Sequence, residues 1–301
     1  MSAHELEVLL GLLREGGPDL TAPPAQARES FEQMLAGVPV GGDAGFERVT
    51  LGGVPALASF TPNAARDRVL IYLHGGAYVI GSAQGYRALS SDLGRAAGAR
   101  ALSLDYRLAP EHPFPAAVDD AVAAYRALLD QGVRPKNVAI AGDSAGGGLA
   151  VAMLTAARDA GLPMPAAAVA ISPWVDLECV GETIASKAAE DPALTLQGLT
   201  GMAATYLAGA SAREPLASPI HADLAGLPPL MIQVGSSEIL LDDAVRLAAV
   251  AGAAGVRSRL DVWPRMVHVW HAFGFMLSEG RDAIAEAGAF IAGRLGQDPA
   301  H

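Results

Sequence analysis

Cysteine is almost absent from this chain, and so are long apolar runs. Among its 301 residues Cys179 is the single cysteine, so no disulfide can form within the chain and nothing in the sequence requires an oxidising compartment. No apolar stretch reaches the roughly 18 uncharged residues that a membrane-spanning helix needs. We therefore expect a protein of the cytoplasm that has no membrane span.

Positive charge is also scarce, and several cofactor motifs are missing. Lys and Arg total 21 against 32 Asp and Glu, which gives a net charge of −11 that repels nucleic acids and anionic membranes. The chain contains neither the glycine-rich fingerprints of dinucleotide and P-loop proteins nor a zinc-binding H-E-x-x-H motif or cysteine cluster. The sequence therefore predicts no nucleic-acid partner, no metal and no cofactor.

The pattern that is present is a regular alternation of strands and helices. Segments 46–51 and 54–60 read as a hairpin, because Gly52-Gly53 lies between them. Buried strands are predicted at 69–73, 101–104, 138–141, 167–171, 230–234 and 260–263, and helices at 86–97, 116–131, 145–160, 243–254 and 282–294. This order favours a mostly parallel, twisted sheet flanked by helices, in one α/β domain spanning residues 1–301.

Two segments fall outside this alternation. Residues 1 to about 45 contain two amphipathic helix patterns separated by Pro23-Pro24, and they precede the first clear strand. Residues 176–227 hold helical patterns but no convincing strand, although they connect two core strands. We interpret both segments as a helical cap over the carboxyl ends of the strands, where α/β sheets bind their ligands.

The strongest chemical signal is the motif Gly142-Asp143-Ser144-Ala145-Gly146. It follows a predicted strand and opens a predicted helix, which is the setting of a nucleophile elbow. In such a turn the central residue is strained, and the flanking glycines let neighbouring backbone approach closely. Ser144 is therefore the predicted nucleophile, placed at a helix N-terminus that stabilises developing negative charge.

A second signal is His74-Gly75-Gly76-Ala77, which directly follows the predicted strand 69–73. Adjacent glycines leave backbone N–H groups free to point into a cavity, as an oxyanion hole requires. We predict that the N–H groups of Gly75, Gly76 and Ala145 form this hole, and that His74 braces the loop.

A serine nucleophile needs a histidine base that is oriented by a carboxylate. In the order serine, acid, histidine, the chain offers Glu238 and His268, each on a loop after a predicted strand. Asp242 and Asp243 are alternative acids, which we assign to the first turn of the next helix because carboxylates stabilise that end. His271 is an alternative base.

With these residues the sequence resembles the hormone-sensitive lipase family of α/β-hydrolases, which includes the bacterial family IV carboxylesterases. Three motifs carry the resemblance: His74-Gly75-Gly76-Ala77, the run from Asp105 to Ala116 (DYRLAPEHPFPA), and Gly142-Asp143-Ser144-Ala145-Gly146-Gly147. The chain departs from the family pattern in having Glu238 where Asp is commoner and Ala77 in place of a third glycine.

The resemblance implies a helical cap, a substrate pocket beneath it and a tendency to form homodimers. Candidate pocket residues are Tyr78, Trp174, Met202, Tyr206 and Leu207, with packing inside the cap as their alternative role. A dimer would join through the edge strand around residues 258–263.

We accordingly expect a serine carboxylesterase that hydrolyses short- to medium-chain esters through an acyl-enzyme on Ser144. An amidase, lactonase or deacetylase with the same triad is the main alternative, because the sequence does not distinguish leaving groups. A non-catalytic small-molecule receptor on this scaffold is a further alternative, and the presence of both Ser144 and His268 argues against it.

Overall fold

A computed structural model of the protein describes residues 3–297. The extreme ends of the predicted domain 1–301 lie outside these residues. Eight strands form one sheet in the order β1-β2-β4-β3-β5-β6-β7-β8. They are β1 (Gly45–Leu51), β2 (Val54–Phe60), β3 (Ala65–Leu73), β4 (Ala99–Leu104), β5 (Val138–Asp143), β6 (Ala167–Ile171), β7 (Leu230–Gly235) and β8 (Ser258–Trp263). Strand β2 pairs antiparallel with β1 and β4, whereas the pairs from β4 to β8 are parallel.

The central strands are the apolar runs of the sequence. Every residue of β5, β6 and β7 is buried, as expected for parallel strands covered on both faces. The edge strand β8 is only partly buried, and it begins at Ser258 rather than at residue 260. Apolar runs alone locate the buried part of a strand, so polar ends that join the hydrogen-bonded ladder are missed.

Helices cover the sheet. The described helices are α1 (Ala3–Gly16), α2 (Pro24–Ala36), α3 (Arg87–Ala97), α4 (Ala116–Asp130), α5 (Ala145–Asp159), α6 (Glu182–Ser186), α7 (Leu196–Leu207), α8 (Leu241–Ala253) and α9 (Ser278–Ala292). Short 3-10 turns lie at Pro135–Asn137, Pro219–His221 and Trp270–Phe273. The predicted α/β fold is confirmed, and most helix ends differ from the prediction by one or two residues. No helix within residues 3–297 combines the length and the apolarity that crossing a membrane requires.

The N-terminal helices pack on different parts of the molecule. Helix α1 buries Leu6, Leu9 and Leu13 in a small apolar cluster with residues around Trp270. Helix α2 buries Phe31 and Leu35 in the main core. Both stripes follow the three-to-four residue spacing of an amphipathic helix, which is why the sequence predicts them.

A single arginine attaches α2 to two loops near the sheet edge. Arg28 donates from Nε to the Val79 carbonyl at 2.8 Å and from Nη2 to the Ala109 carbonyl at 2.8 Å. Its other contact is a bidentate ion pair with Glu111, whose two oxygens lie 2.9 and 2.6 Å from the guanidinium. Such planar two-point pairing fixes geometry as well as distance.

The predicted cap insertion contains α6, α7 and the 3-10 turn Pro219–His221, and the described part of the chain has no strand between β6 and β7. The insertion begins beside α8, where the buried Asp243 carboxylate accepts hydrogen bonds from the Val175 and Asp176 amides at 2.9 and 3.0 Å. This contact joins the start of the insertion to the sheet domain.

Candidate active site

Ser144 lies in a sharp turn between β5 and α5. Its backbone has φ 54° and ψ −122°, a strained conformation for a residue with a side chain. A Cβ atom at Gly142 would collide with the Gly146 carbonyl, and one at Gly146 would collide with the Leu73 carbonyl. The two glycines of the motif are therefore required by backbone crowding, and the turn presents Ser144 at the carboxyl edge of the sheet.

The structure brings the three predicted triad residues together. His268 Nε2 lies 2.9 Å from Ser144 Oγ, and His268 Nδ1 lies 2.8 Å from Glu238 Oε2. The other carboxylate oxygen of Glu238 accepts hydrogen bonds from the Gly235 amide at 2.6 Å and the Ser172 hydroxyl at 2.9 Å. A buried carboxylate with both oxygens bonded can hold the imidazole in one tautomer, with Nε2 facing the serine.

The electrostatics favour the protonated imidazole. Burial by itself would lower the pKa of His268, but the hydrogen bond and charge of Glu238, together with the charges of Asp191 and Asp143, raise that pKa above its ordinary value of 6.5. A more basic imidazole takes up a serine proton more readily, and it is neutral only above its raised pKa.

The alternative acid and base residues make other contacts. His271 Nε2 lies 2.9 Å from Gln233 Oε1, and burial, with the nearby charge of His268, lowers the His271 pKa to about 3. Asp242 and Asp243 lie in the first turn of α8, as predicted. The geometry therefore selects Glu238 and His268 from the candidates.

The loop after β3 corrects one predicted donor. The Gly75 amide donates to Asp143 Oδ1 at 3.0 Å, so it is not free to bind an oxyanion. The next two amides, of Gly76 and Ala77, have no acceptor among residues 3–297, and both residues line the cavity above Ser144. The Ala145 amide opens α5, where helix N–H groups lack a partner within the helix. The predicted set of Gly75, Gly76 and Ala145 therefore loses Gly75, because the motif does not reveal which amide the buried aspartate binds.

His74 takes the bracing role expected of it. Its Nδ1 atom lies 2.7 Å from the Gly75 carbonyl, and its ring stacks on Tyr106 with centroids 4.3 Å apart. Burial lowers the His74 pKa, so the ring is neutral at pH 7.

Sequence reasoning missed two polar side chains of this site. Asp143 Oδ1 accepts the Tyr72 hydroxyl at 2.6 Å in addition to the Gly75 amide, and burial raises the Asp143 pKa to about 6. Ser172, directly after β6, donates to Glu238 and accepts from the Val269 amide at 3.2 Å, linking the acid to the loop of the base. Their position at the carboxyl edge, one beside Ser144 and one after the next strand, is the signal that would have found them.

Comparisons with known proteins agree with this geometry. A family model described as the α/β hydrolase fold matches residues 70–272. An acetyl-hydrolase of Streptomyces hygroscopicus is 53% identical over 90% of this chain and 88% of its own. The chain belongs to the α/β-hydrolase fold family. A solved esterase of the bacterial hormone-sensitive lipase family is 48% identical, with a TM-score of 0.95 over 98% of this chain and all of its own (100%).

A second solved structure, that of EstE5 soaked with p-nitrophenyl butyrate, is 47% identical with a TM-score of 0.94, over 98% of this chain and 100% of its own. The predicted membership of the hormone-sensitive lipase family is thereby confirmed. The protein is a serine hydrolase of the carboxylesterase type.

A cavity opens above Ser144. It has a volume of about 380 Å³, and both cap segments contribute to its wall. Most of its apolar lining comes from α1, α2 and the connection between them, from the cap insertion and from the segment after His268: Leu12, Leu13, Leu20, Phe31, Met34, Leu35, Leu194, Leu199, Phe273, Phe275 and Met276. Its titratable lining residues are Tyr86, Asp143 and His268.

The predicted pocket residues do not line this cavity. Tyr78, Trp174, Met202, Tyr206 and Leu207 are all buried in the main core. Tyr206 stacks on Tyr78 with centroids 3.9 Å apart, and Tyr78 lies against Trp174. The structure gives these five residues their alternative role of packing, here between the insertion and the sheet, whereas other residues of the insertion, the N-terminal helices and the segment after His268 line the cavity. Burial in a core and exposure to a cavity give the same apolar pattern in a sequence.

Within residues 3–297, one group of acidic and histidine side chains has a spacing compatible with a cation. Ligand atoms of Asp176, Glu178 and His221 lie within 4.8 Å of one another. Arg246 pairs with Asp176 at 2.7 Å and Arg213 with Glu178 at 3.0 Å. These ion pairs already neutralise both carboxylates, so the group is an ion-pair cluster of the cap.

Proposed function

We propose that this serine hydrolase cleaves neutral carboxylic esters with short to medium acyl chains. The observation that carries the proposal is the continuous hydrogen-bonded line from Ser144 through His268 to Glu238, which opens into an apolar cavity. The roles of the residues follow from that line.

The proposed reaction has two halves. Ser144 Oγ attacks the ester carbonyl while His268 Nε2 takes the serine proton, and His268 then protonates the alkoxide oxygen as the carbon–oxygen bond breaks. Water, deprotonated by the same nitrogen, attacks the acyl-enzyme, and the proton returns to Ser144 as the acid leaves. Glu238 stabilises the imidazolium in both halves.

The negatively charged oxygen of each tetrahedral intermediate is proposed to bind the amides of Gly76, Ala77 and Ala145. Those amides adjoin the serine and have fixed positions, so they need no rearrangement as charge develops. Removing one such donor from another serine hydrolase costs roughly 3 kcal/mol of transition-state stabilisation.

The cavity supports neutral substrates of limited size. Its lining is apolar, and the Asp143 carboxylate beside the nucleophile repels carboxylate-bearing substrates. A volume of about 380 Å³ lies at the small end of the range for ligand pockets, about 300–1,000 Å³. Acetyl esters belong to this substrate class, in keeping with the name of the Streptomyces relative.

Hydrolysis of p-nitrophenyl esters from acetate to palmitate, by wild type and by Ser144→Ala, tests the proposal. We expect turnover that is greatest for short chains and that falls by about a million-fold in the variant, as in another triad enzyme. Turnover retained by Ser144→Ala would refute the nucleophile. A wild type active on anilides or lactones but not on these esters would favour the alternative with the same triad.

The expected homodimer remains part of this proposal. Strand β8 ends the sheet and, among residues 3–297, pairs with β7 alone, and Val262 on it is exposed. An unpaired edge of this kind can add the same strand of a second copy. Light scattering of wild type and Val262→Lys distinguishes a dimer through this edge from a monomer.

The proposed location is the cytoplasm, which cell fractionation tests.

A further inference from the structure

We propose that the cap insertion positions the catalytic acid, through Asp191 and Thr183, and is therefore part of the catalytic machinery as well as a cover for the substrate. The inference rests on the proposed role of Glu238. We use the name acid loop for residues 236–240, which connect β7 to α8 and carry Glu238.

The first contact is made by a buried carboxylate of the insertion. Ile239 directly follows Glu238 in the sequence, and its amide donates a hydrogen bond to Asp191 Oδ2 at 2.9 Å. Asp191 Oδ1 accepts from the Ala193 and Leu194 amides at 2.9 and 3.0 Å. Ala193 and Leu194 line the substrate cavity, so one side chain joins the cavity wall to the acid loop.

The second contact comes from helix α6 of the insertion. The Thr183 hydroxyl donates to the Ile239 carbonyl at 2.7 Å and accepts from the Asp242 amide at 2.9 Å. With Asp191, both backbone groups of Ile239 are bonded to side chains of the insertion. Side chains that bind the N–H and the C=O of one residue fix its peptide planes, and hence the direction of the neighbouring Glu238 side chain.

The opposite side of the acid loop is held by the loop that carries the base. The Ser237 amide donates to the Met266 carbonyl at 3.0 Å, and the Arg265 amide donates to Ser236 Oγ at 2.8 Å. The acid loop is thus bound between the base loop and the insertion. Without the insertion the acid loop would keep the contacts on the His268 side and the hydrogen bonds of Glu238 with Gly235 and Ser172, but Ile239 would lose both of its side-chain partners.

Asp191 also acts on the base through its charge. The groups whose charges act on His268 are Glu238 from the acid loop, Asp143 from the end of β5, Asp191 from the insertion and His271 from the following 3-10 turn. The three carboxylates favour the imidazolium, and a charged His271 would oppose it. Replacing Asp191 with a neutral residue therefore changes both the placement of the acid and the proton affinity of the base.

The test compares Asp191→Asn with Thr183→Val in the full-length protein. For Asp191→Asn we expect kcat/KM on p-nitrophenyl butyrate to fall roughly tenfold, because a catalytic group is slightly misplaced. The acidic limb of its pH profile should also move to lower pH, because one charge that favours the imidazolium is gone. Thr183→Val leaves the Asp191 charge unchanged. For this variant we expect kcat/KM to fall about fivefold, while the acidic limb of the pH profile stays where it is in wild type. Glu190→Gln is the matched control, because it removes an exposed neighbouring charge whose partner is Lys187.

An independent readout is the NMR titration of the His268 ring, identified by its loss in His268→Gln. Its pKa should fall in Asp191→Asn and stay fixed in Glu190→Gln. Rates within twofold of wild type in both test variants would overturn the proposal, and so would a slower Asp191→Asn with an unchanged His268 pKa. If Asp191→Asn does not fold, a wild-type rate in Thr183→Val is by itself enough to overturn the proposal. A wild type inactive on esters would refute the proposed function, whereas the titration would still test this inference.

Discussion

The nucleophile and the acid are positioned in opposite ways. The turn at Ser144 depends on the two glycines of its own motif, Gly142 and Gly146, which leave no room for a Cβ atom beside the carbonyls of Gly146 and Leu73. Glu238 is fixed by residues far away in sequence: Ser172 after β6 and, through Ile239, the insertion residues Thr183 and Asp191. A local constraint can be recognised from a short motif, whereas a constraint built from distant side chains cannot.

The surroundings of Ser144 and those of Glu238 also differ in how they respond to substitution. Around the nucleophile the constraint is steric, so one added methyl group destroys it. Around the acid it consists of several hydrogen bonds, each of which contributes on the order of 1 kcal/mol. We therefore expect complete loss from changes at the turn and graded loss from changes near the acid.

The largest effect is expected for Gly146→Ala. The new Cβ would meet the Leu73 and His74 carbonyl oxygens, which belong to the central strand β3 and the loop after it, and backbone held in this way cannot move aside. Activity on p-nitrophenyl butyrate should disappear, with a large drop in melting temperature. Gly201→Ala, in the middle of α7 with open space around it, is the control and should be neutral or slightly stabilising. Equal behaviour of the two variants would contradict the steric account.

Next comes Glu238→Gln, for which we expect a loss of roughly 10⁴-fold in kcat, the effect of the corresponding change in a triad protease. In wild type, kcat/KM should rise with pH through a value above 6.5, because the base must lose its proton. Without the Glu238 charge, burial dominates and the His268 pKa falls, so the residual activity should extend to lower pH. Asp242→Asn should show a far smaller loss; a larger one would transfer the acid role to Asp242.

The smallest effect concerns stability at the start of the cap insertion. Burial raises the pKa of Asp243 from 3.8 to about 7, so folding favours its protonated form. That contribution is complete below about pH 4 and is lost as the pH rises through 7. Asp243→Asn stays neutral and keeps an acceptor for the Val175 and Asp176 amides. The melting temperature of Asp243→Asn, relative to that of wild type, should therefore increase from pH 5 to pH 8. A difference in melting temperature that does not change with pH would contradict a raised pKa at Asp243.

The sequence predicted the local features well. The sheet, the turn at Ser144 and the choice of Glu238 and His268 follow from apolar runs, glycine spacing and the rule that loops at the carboxyl ends of parallel strands meet. All of these depend on residues adjacent in the chain or on a general property of α/β sheets.

The remaining features depend on contacts across long stretches of sequence. Which amides of the loop after β3 are free is decided by Asp143, 68 residues from Gly75. Which apolar side chains line the cavity is decided by how α1 and α2 pack, and burial in a core and exposure to a cavity give the same sequence pattern. Neither Asp191 nor Ser172 belongs to a motif, so their contacts with Ile239 and Glu238 can be recognised only in the folded structure.

The attachment of α2 has a consequence for how this protein can evolve. Arg28 binds the main-chain oxygens of Val79 and Ala109, and every amino acid supplies such an oxygen. Drift at positions 79 and 109 therefore leaves the anchor of the helix intact. The residues on α2 that face the cavity can then diversify toward new substrates while the helix keeps its place, so selection can alter specificity one substitution at a time without first rebuilding the scaffold.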